Sequence, residues 1–224
     1  MQLLENLKIP FKNEKLYIRA LTHTSYANEN NVESYERLEY LGDAVLELVI
    51  SEYLYKNTEH LEGKMTKLRS HYVCENANYE YSIHLGLNEY LFLGNGEKDR
   101  GGKYRKAIVA DIFESFIGAI YLDLGFEEAK KFIYKNIIPL IENKTIDFFD
   151  DYKSILQELV QTDKKSLDYV VVNESGPAHE KIFTVEVRID DIVYGKGTAH
   201  SKKQAEQIAA KDALSKSGYE GFQI

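Results

Sequence analysis

The sequence predicts two domains of different class, an all-α N-terminal domain and a smaller α+β domain with the order α-β-β-β-α. Three observations lead there. Apolar residues recur at helical spacing through 13–22, 35–56, 64–85, 103–123 and 126–138, with no alternating strand among them. A short, polar and acidic stretch then interrupts the pattern, placing a linker at 144–151 between domains at 1–143 and 152–224. Beyond it, three β-rich runs lie between two helical ones, in too few residues for parallel crossovers, so the sheet is expected to be antiparallel.

Within the first domain, the Gly-rich "GNGEKDRGGK" at 94–103 reads as a loop between two helices, and Pro139 lies just past the last one. In the second, "YKSILQELVQT" (152–162) is a helix. The strands are "LDYVVVNE", "KIFTVEVRI" and "DIVYGKGTA", with turns at "SGPAH" and at Asp190-Asp191. "SKKQAEQIAAKDALSK" closes the chain as a helix, with Ser201 as its N-cap.

With 44% hydrophobic and 29% charged residues, the chain can bury a real core. The N-terminus lacks the basic, apolar and small-residue regions of a signal peptide, and no apolar run approaches the roughly 18 residues of a membrane helix. A cytoplasmic protein without a membrane partner is expected. A single cysteine, Cys74, excludes an internal disulfide and a cysteine-based zinc site. The net charge of −8 argues against a nucleic-acid partner unless cations are clustered. They are, in "KDRGGKYRK" (98–106) and at Lys202-Lys203.

Two helices carry an oddity of charge. In "SYERLEYLGDAVLELVI" (34–50), Glu36, Glu39 and Asp43 fall within an arc of about 60° on a helix, opposite Leu38, Leu41, Val45, Leu48 and Val49. An acidic stripe is ordinarily a solvated face, but such faces carry Lys or Arg three or four residues away. Glu39 and Asp43 have none there. "IVADIFESFIGAIYLDLG" (108–125) repeats the pattern with Asp111 and Glu114, one turn apart on a helix apolar nearly all round. Burying unpaired carboxylates is costly unless they bind a proton or a cation. All-oxygen ligands select Mg²⁺, Mn²⁺ or Ca²⁺ over zinc, and the Glu-x-x-His pairs of di-iron bundles are missing. A Mg²⁺ carboxylate site with open positions is typical of phosphoryl transfer.

"ERLEYLGDAVL" (36–46) closely resembles the signature of the ribonuclease III family, and "ADIFESFIGAIYLD" (110–123) its second acidic motif. "LTHTSYANE" (21–29) and "LEGKMTKLRSHYV" (61–73) match flanking motifs, while the C-terminal segment resembles a double-stranded-RNA-binding domain. The resemblance spans essentially the whole chain. It implies an all-α endonuclease domain followed by an RNA-binding one. Glu39, Asp111 and Glu114 take the positions of the Mg²⁺ ligands, with Mn²⁺ as a substitute, and Asp43 and Glu114 those of the catalytic residues. Glu36 and Glu62 take supporting acidic positions. Tyr40 stands where the family carries an aromatic, often Phe, that plugs the partner subunit of a homodimer.

The implied activity is Mg²⁺-dependent hydrolysis of double-stranded RNA. It leaves 5′-phosphate and 3′-hydroxyl ends with short 3′ overhangs and serves the processing of ribosomal RNA precursors and other structured transcripts. No organic cofactor is implied. The alternative, a non-catalytic RNA-binding relative, would be expected to have lost one of the four acids. For RNA contact, the resemblance implies Gln157, Glu158 and Gln161 on the first helix, His179 in "GPAH", and Lys202 and Lys203 at the start of the last helix, where the helix dipole also favours phosphate. Glu206 departs from the pattern, standing where many such domains carry another Lys.

Overall fold

The computed structural model describes residues 2–143, 152–162, 165–177 and 180–216. The expected linker at 144–151 and His179 lie outside them. Contacts between residues divide the chain into two compact units, separated after Phe148.

The first unit is built of α1 (Gln2–Asn6), α2 (Glu14–Ala20), α3 (Thr24–Asn30), α4 (Glu36–Asn57), α5 (Glu62–Tyr72), α6 (Glu75–Leu85), α7 (Asn95–Asp99), α8 (Lys106–Leu124), α9 (Phe126–Asn136) and α10 (Ile138–Glu142). α8 is its axis. Ile108, Val109, Ile112, Phe113, Phe116, Ile117 and Ile120 are all buried, as expected of a helix apolar nearly all round. α2, α4, α6 and α9 pack around it. Two polar ties fix it to the start of the chain. The Ser115 hydroxyl donates to the Ala20 carbonyl at 2.5 Å. At the other end, the Asp123 carboxylate accepts from the Lys12 and Asn13 amides at 2.8 and 2.9 Å and from the Tyr17 hydroxyl at 3.0 Å.

Several sequence expectations are corrected here. The single helix at 64–85 is two, broken at Val73-Cys74, where Cys74 is extended. The carbonyls this break strands are taken by side chains of α6: Tyr81 donates to Tyr72 O at 3.1 Å and Asn78 to Val73 O at 3.3 Å. The 94–103 loop contains α7, whose first amide is capped by Glu29 from α3 at 2.9 Å. Pro139 lies inside α10, in its first turn, where a missing amide hydrogen costs nothing. Leu48, placed by helical phase opposite the acids, is 56% exposed.

The second unit follows its expected order: α11 (Tyr152–Thr162), β1 (Leu167–Ser175), β2 (Ile182–Ile189), β3 (Ile192–Ala199) and α12 (Lys202–Lys216). The sheet is antiparallel in the order β1-β2-β3. Val185, Val187 and Ile189 alternate onto one face of β2 and are buried with Ile155, Leu156 and Val160 of α11 and the alanines of α12. The alanine stripe lies close to β3: a Cβ on Gly195 or Gly197 would stand 2.2 Å from a carbonyl oxygen of α12. The two-residue turn uses Asp190 and Asp191, both with positive φ, as a primed hairpin turn requires.

Candidate active site and nucleic-acid interface

α4 and α8 touch backbone to backbone. A Cβ on Gly42 would stand 1.8 Å from the carbonyl oxygen of Glu114, and one on Gly118 would stand 2.3 Å from that of Leu38. This close crossing sets Glu39 and Asp43, on either side of Gly42, against Asp111 and Glu114, in the two turns before Gly118. Two neutral donors hold the α8 acids. The buried Tyr35 hydroxyl donates to Asp111 Oδ2 at 2.8 Å, and the buried Asn78 amide donates to Glu114 Oε1 at 2.5 Å.

The electrostatics follow from this gathering. Burial, then the charges of Asp43, Glu39 and Asp111, push the Glu114 carboxyl up to about 8 against the opposing hydrogen bond from Asn78. Burial, then Asp111, Glu36 and Asp43, push Glu39 up to about 7. Burial also raises Asp111, while the Tyr35 hydrogen bond opposes it. Among the described residues, the charges that shift these three most include no Lys or Arg, and His23 lowers Asp111. Among the described residues, no group of three or more His, Cys, Asp or Glu side chains is arranged so that it could hold a metal ion as it stands. The donor set is all oxygen and half-buried, which suits a hard divalent cation with open positions.

Glu36 is exposed at the rim, accepting from the Ser34 hydroxyl at 3.0 Å, and its charge reaches both Glu39 and Asp111. Glu62 is elsewhere. It opens α5 and, with Leu48, Ser51, Leu54, Tyr55 and Met65, lines a cavity of about 340 Å³. Tyr40 projects from α4, 83% exposed. In the basic run 98–106, Lys103 pairs with Glu89 at 2.5 Å and Arg105 with Glu97 at 2.7 Å, so two of its cations are already committed.

In the second unit, Gln157, Glu158 and Gln161 share an exposed face of α11. Lys202 and Lys203 are exposed at the start of α12, whose Gln204 amide donates to the capping Ser201 hydroxyl at 3.2 Å. The Lys202 ammonium lies 5.4 Å from the Phe183 ring centre. Glu206 pairs with Lys153 of α11 at 2.5 Å, bracing the two helices.

A family model described as Ribonuclease-III-like matches residues 13–141, and one described as Double-stranded RNA binding motif matches 152–217. The chain is 48% identical over 218 residues to Ribonuclease 3 of Streptococcus equi subsp. zooepidemicus, covering 95% of each. It is 46% identical over 220 residues to Ribonuclease 3 of Listeria monocytogenes, covering 96% of each. The chain belongs to the ribonuclease III family. It is thus a double-strand-specific endoribonuclease, of a family that requires a divalent metal. The likeness extends to solved structures: the nuclease domain of ribonuclease III from Campylobacter jejuni matches with a TM-score of 0.57 at 38% identity, covering 62% of this chain and 92% of that one. No described helix is long and apolar enough to cross a membrane.

Sequence reasoning did not single out the two donors of this ribonuclease III domain. Asn78 had a signal, a polar residue sharing a buried helical phase with Ala77, Tyr81 and Ser82. Tyr35 had none, because its hydroxyl reaches a residue 76 positions away. His23, part of a flanking motif, caps α3: its Nδ1 accepts from the Ser25 amide at 3.2 Å, and burial lowers its pKa and favours the neutral ring.

Proposed function

We propose that Glu39, Asp111 and Glu114 hold Mg²⁺, with Mn²⁺ as a substitute, and that Asp43 and Glu114 are the catalytic residues that act with it in cutting double-stranded RNA. The observation that carries this reading is the meeting of four carboxylates across the Gly42–Gly118 contact, where the charges of Asp43, Glu39 and Asp111 raise Glu114. Solvent-facing acids would not need two helices without side chains at their crossing. When bound, the cation supplies Lewis-acid polarisation of the scissile phosphate and acidifies the attacking water. The protein's part is to hold the acids still. The apolar side of α4 and the buried α8 fix their backbones, Tyr35 fixes Asp111, and Glu36 adds negative charge at the rim.

Cleavage with the 3′ oxygen as leaving group gives 5′-phosphate and 3′-hydroxyl ends. Two such sites in a homodimer each cut one strand, leaving short 3′ overhangs. Support for the dimer comes from the exposed Tyr40 on α4 and from the cavity beside Leu48 and Tyr55, both well exposed, which suits an aromatic ring from a second subunit. Glu62, on the cavity's lining, would then lie against the partner's α4. The structure of the Campylobacter jejuni nuclease domain is described by its region involved in dimer formation. The C-terminal domain adds contact with the duplex, with Gln157, Glu158 and Gln161 at the minor groove, His179 at the next one and Lys202 and Lys203 on phosphate. Its substrates are ribosomal RNA precursors and other structured transcripts of the cytoplasm.

Incubation of a long RNA duplex with the protein tests the reading. Wild type in Mg²⁺ should give short duplexes, while Ca²⁺ or Glu114→Gln should leave the RNA intact yet bound. An intact duplex in the wild-type Mg²⁺ reaction would overturn it.

A further inference from the structure

We propose that Asn78 is a positioning residue for Glu114, setting where that carboxylate meets the cation; this rests on reading the α4–α8 acids as the Mg²⁺ site. Asn78 lies in the first turns of α6 and is 1% exposed. Its Nδ2 does two jobs, donating to Glu114 Oε1 at 2.5 Å and to the Val73 carbonyl at 3.3 Å. The second bond ties the amide to the break between α5 and α6, so its direction is set by backbone as well as by the acid.

Among the described residues, the same amide's Oδ1 is buried with no partner. A buried acceptor without a hydrogen bond is costly, and an apolar side chain of similar size would avoid the cost. The position therefore keeps a polar group at the expense of packing, which marks the donor as its purpose. The choice of donor also matters. An ammonium or guanidinium beside Glu114 would neutralise the charge that a metal ligand needs, whereas an amide orients the carboxylate and leaves its charge in place. Asn78 occupies Oε1. Among the described residues, no hydrogen bond is made to Oε2, which is thereby left for a cation.

The test uses the full-length protein with Asn78→Leu, which removes the donor and the orphaned acceptor together. In thermal unfolding without RNA, the metal-free variant, which also loses the bond to the Val73 carbonyl, gives its own baseline melting temperature, from which its rise with Mg²⁺ is measured. The Mg²⁺ concentration giving half of the metal-dependent rise in melting temperature should increase by about tenfold, the scale set by outer partners of metal ligands. With duplex RNA, kcat should fall by about the same factor at saturating RNA, with KM within about twofold. Asn78→Ala carries the same comparison if Asn78→Leu does not fold. A wild-type Mg²⁺ midpoint together with a wild-type kcat in the folded variant would make Asn78 a packing residue and overturn the proposal alone. Wild type that neither cleaves nor responds to Mg²⁺ would overturn the functional reading and this proposal with it.

Discussion

Gly42 of α4 meets Glu114 of α8 through main chain alone, with space for no side-chain carbon between them: a Cβ there would lie 1.8 Å from the Glu114 carbonyl oxygen. Gly42→Ala must therefore push the two helices apart. Overpacking at a contact with backbone on both sides should cost about 3 kcal/mol or more. Urea denaturation measures it, and an unchanged midpoint would show that the helices can slide without loss. Because the same shift separates Glu39 and Asp43 from Asp111 and Glu114, cleavage should fall even under conditions where the variant stays folded.

The gathered acids make stability depend on pH in an unusual direction. Glu39 and Glu114, near 4.5 in the unfolded chain, are pushed up to about 7 and about 8 in the folded one. Below about pH 4.5 both states hold the protons and the acids carry no penalty. As pH rises from there through 8, the unfolded chain has already released protons that the folded one must lose at a cost, so stability falls. Relative to wild type in EDTA, Glu114→Gln should gain about 2 kcal/mol at pH 8.5, after allowance for solvent screening, and nothing near pH 4.5. Denaturation of both proteins at the two pH values decides this. Adding Mg²⁺ should stabilise wild type more than the variant; the same gain in both would separate Glu114 from the metal.

These acids illustrate how far the sequence could be read. The phase of Glu36, Glu39 and Asp43, and of Asp111 with Glu114, follows from helical geometry, and the missing cations follow from inspection of neighbours. That the two stripes face one another does not follow from either helix. It depends on a pair of glycines, each of whose meaning lies in the other helix of the contact. Asn78 and Tyr35 were hidden for the same reason, since each acts on a residue far along the chain. Leu48 was misplaced because the face of α4 assigned to the core opens there on a cavity, which Glu62 also lines.

Tyr40 offers a test of assembly. A tyrosine 83% exposed contributes little to its own domain, so Tyr40→Ala should leave metal-free melting of a dilute, monomeric sample within about 0.5 kcal/mol of wild type. As a buried aromatic anchor in a partner's cavity it should cost the dimer about 2 kcal/mol or more, a roughly thirtyfold rise in dissociation constant. Sedimentation equilibrium reads both species, and equal dissociation constants would remove Tyr40 from the interface.

Lys202 and Lys203 can be separated from catalysis by salt. If both ammonium groups sit on phosphate, replacing them with Gln should weaken duplex binding about equally across sequences and lower the slope of log affinity against log salt by about 2. Titrations of catalytically inactive Glu114→Gln with and without the two replacements measure that slope. An unchanged slope would leave the pair as solvated surface, with Lys202 resting on Phe183.

Asp123 also sets a timetable. Its carboxylate binds the amides of Lys12 and Asn13, made 111 and 110 residues earlier, and the helix that carries it is the axis the others pack on. At about 5–20 residues per second, the start of the chain waits roughly 5–20 s on the ribosome for the partner that ties it down. A nascent chain that stops short of α8 has made Glu39 and Asp43 but nothing for them to face.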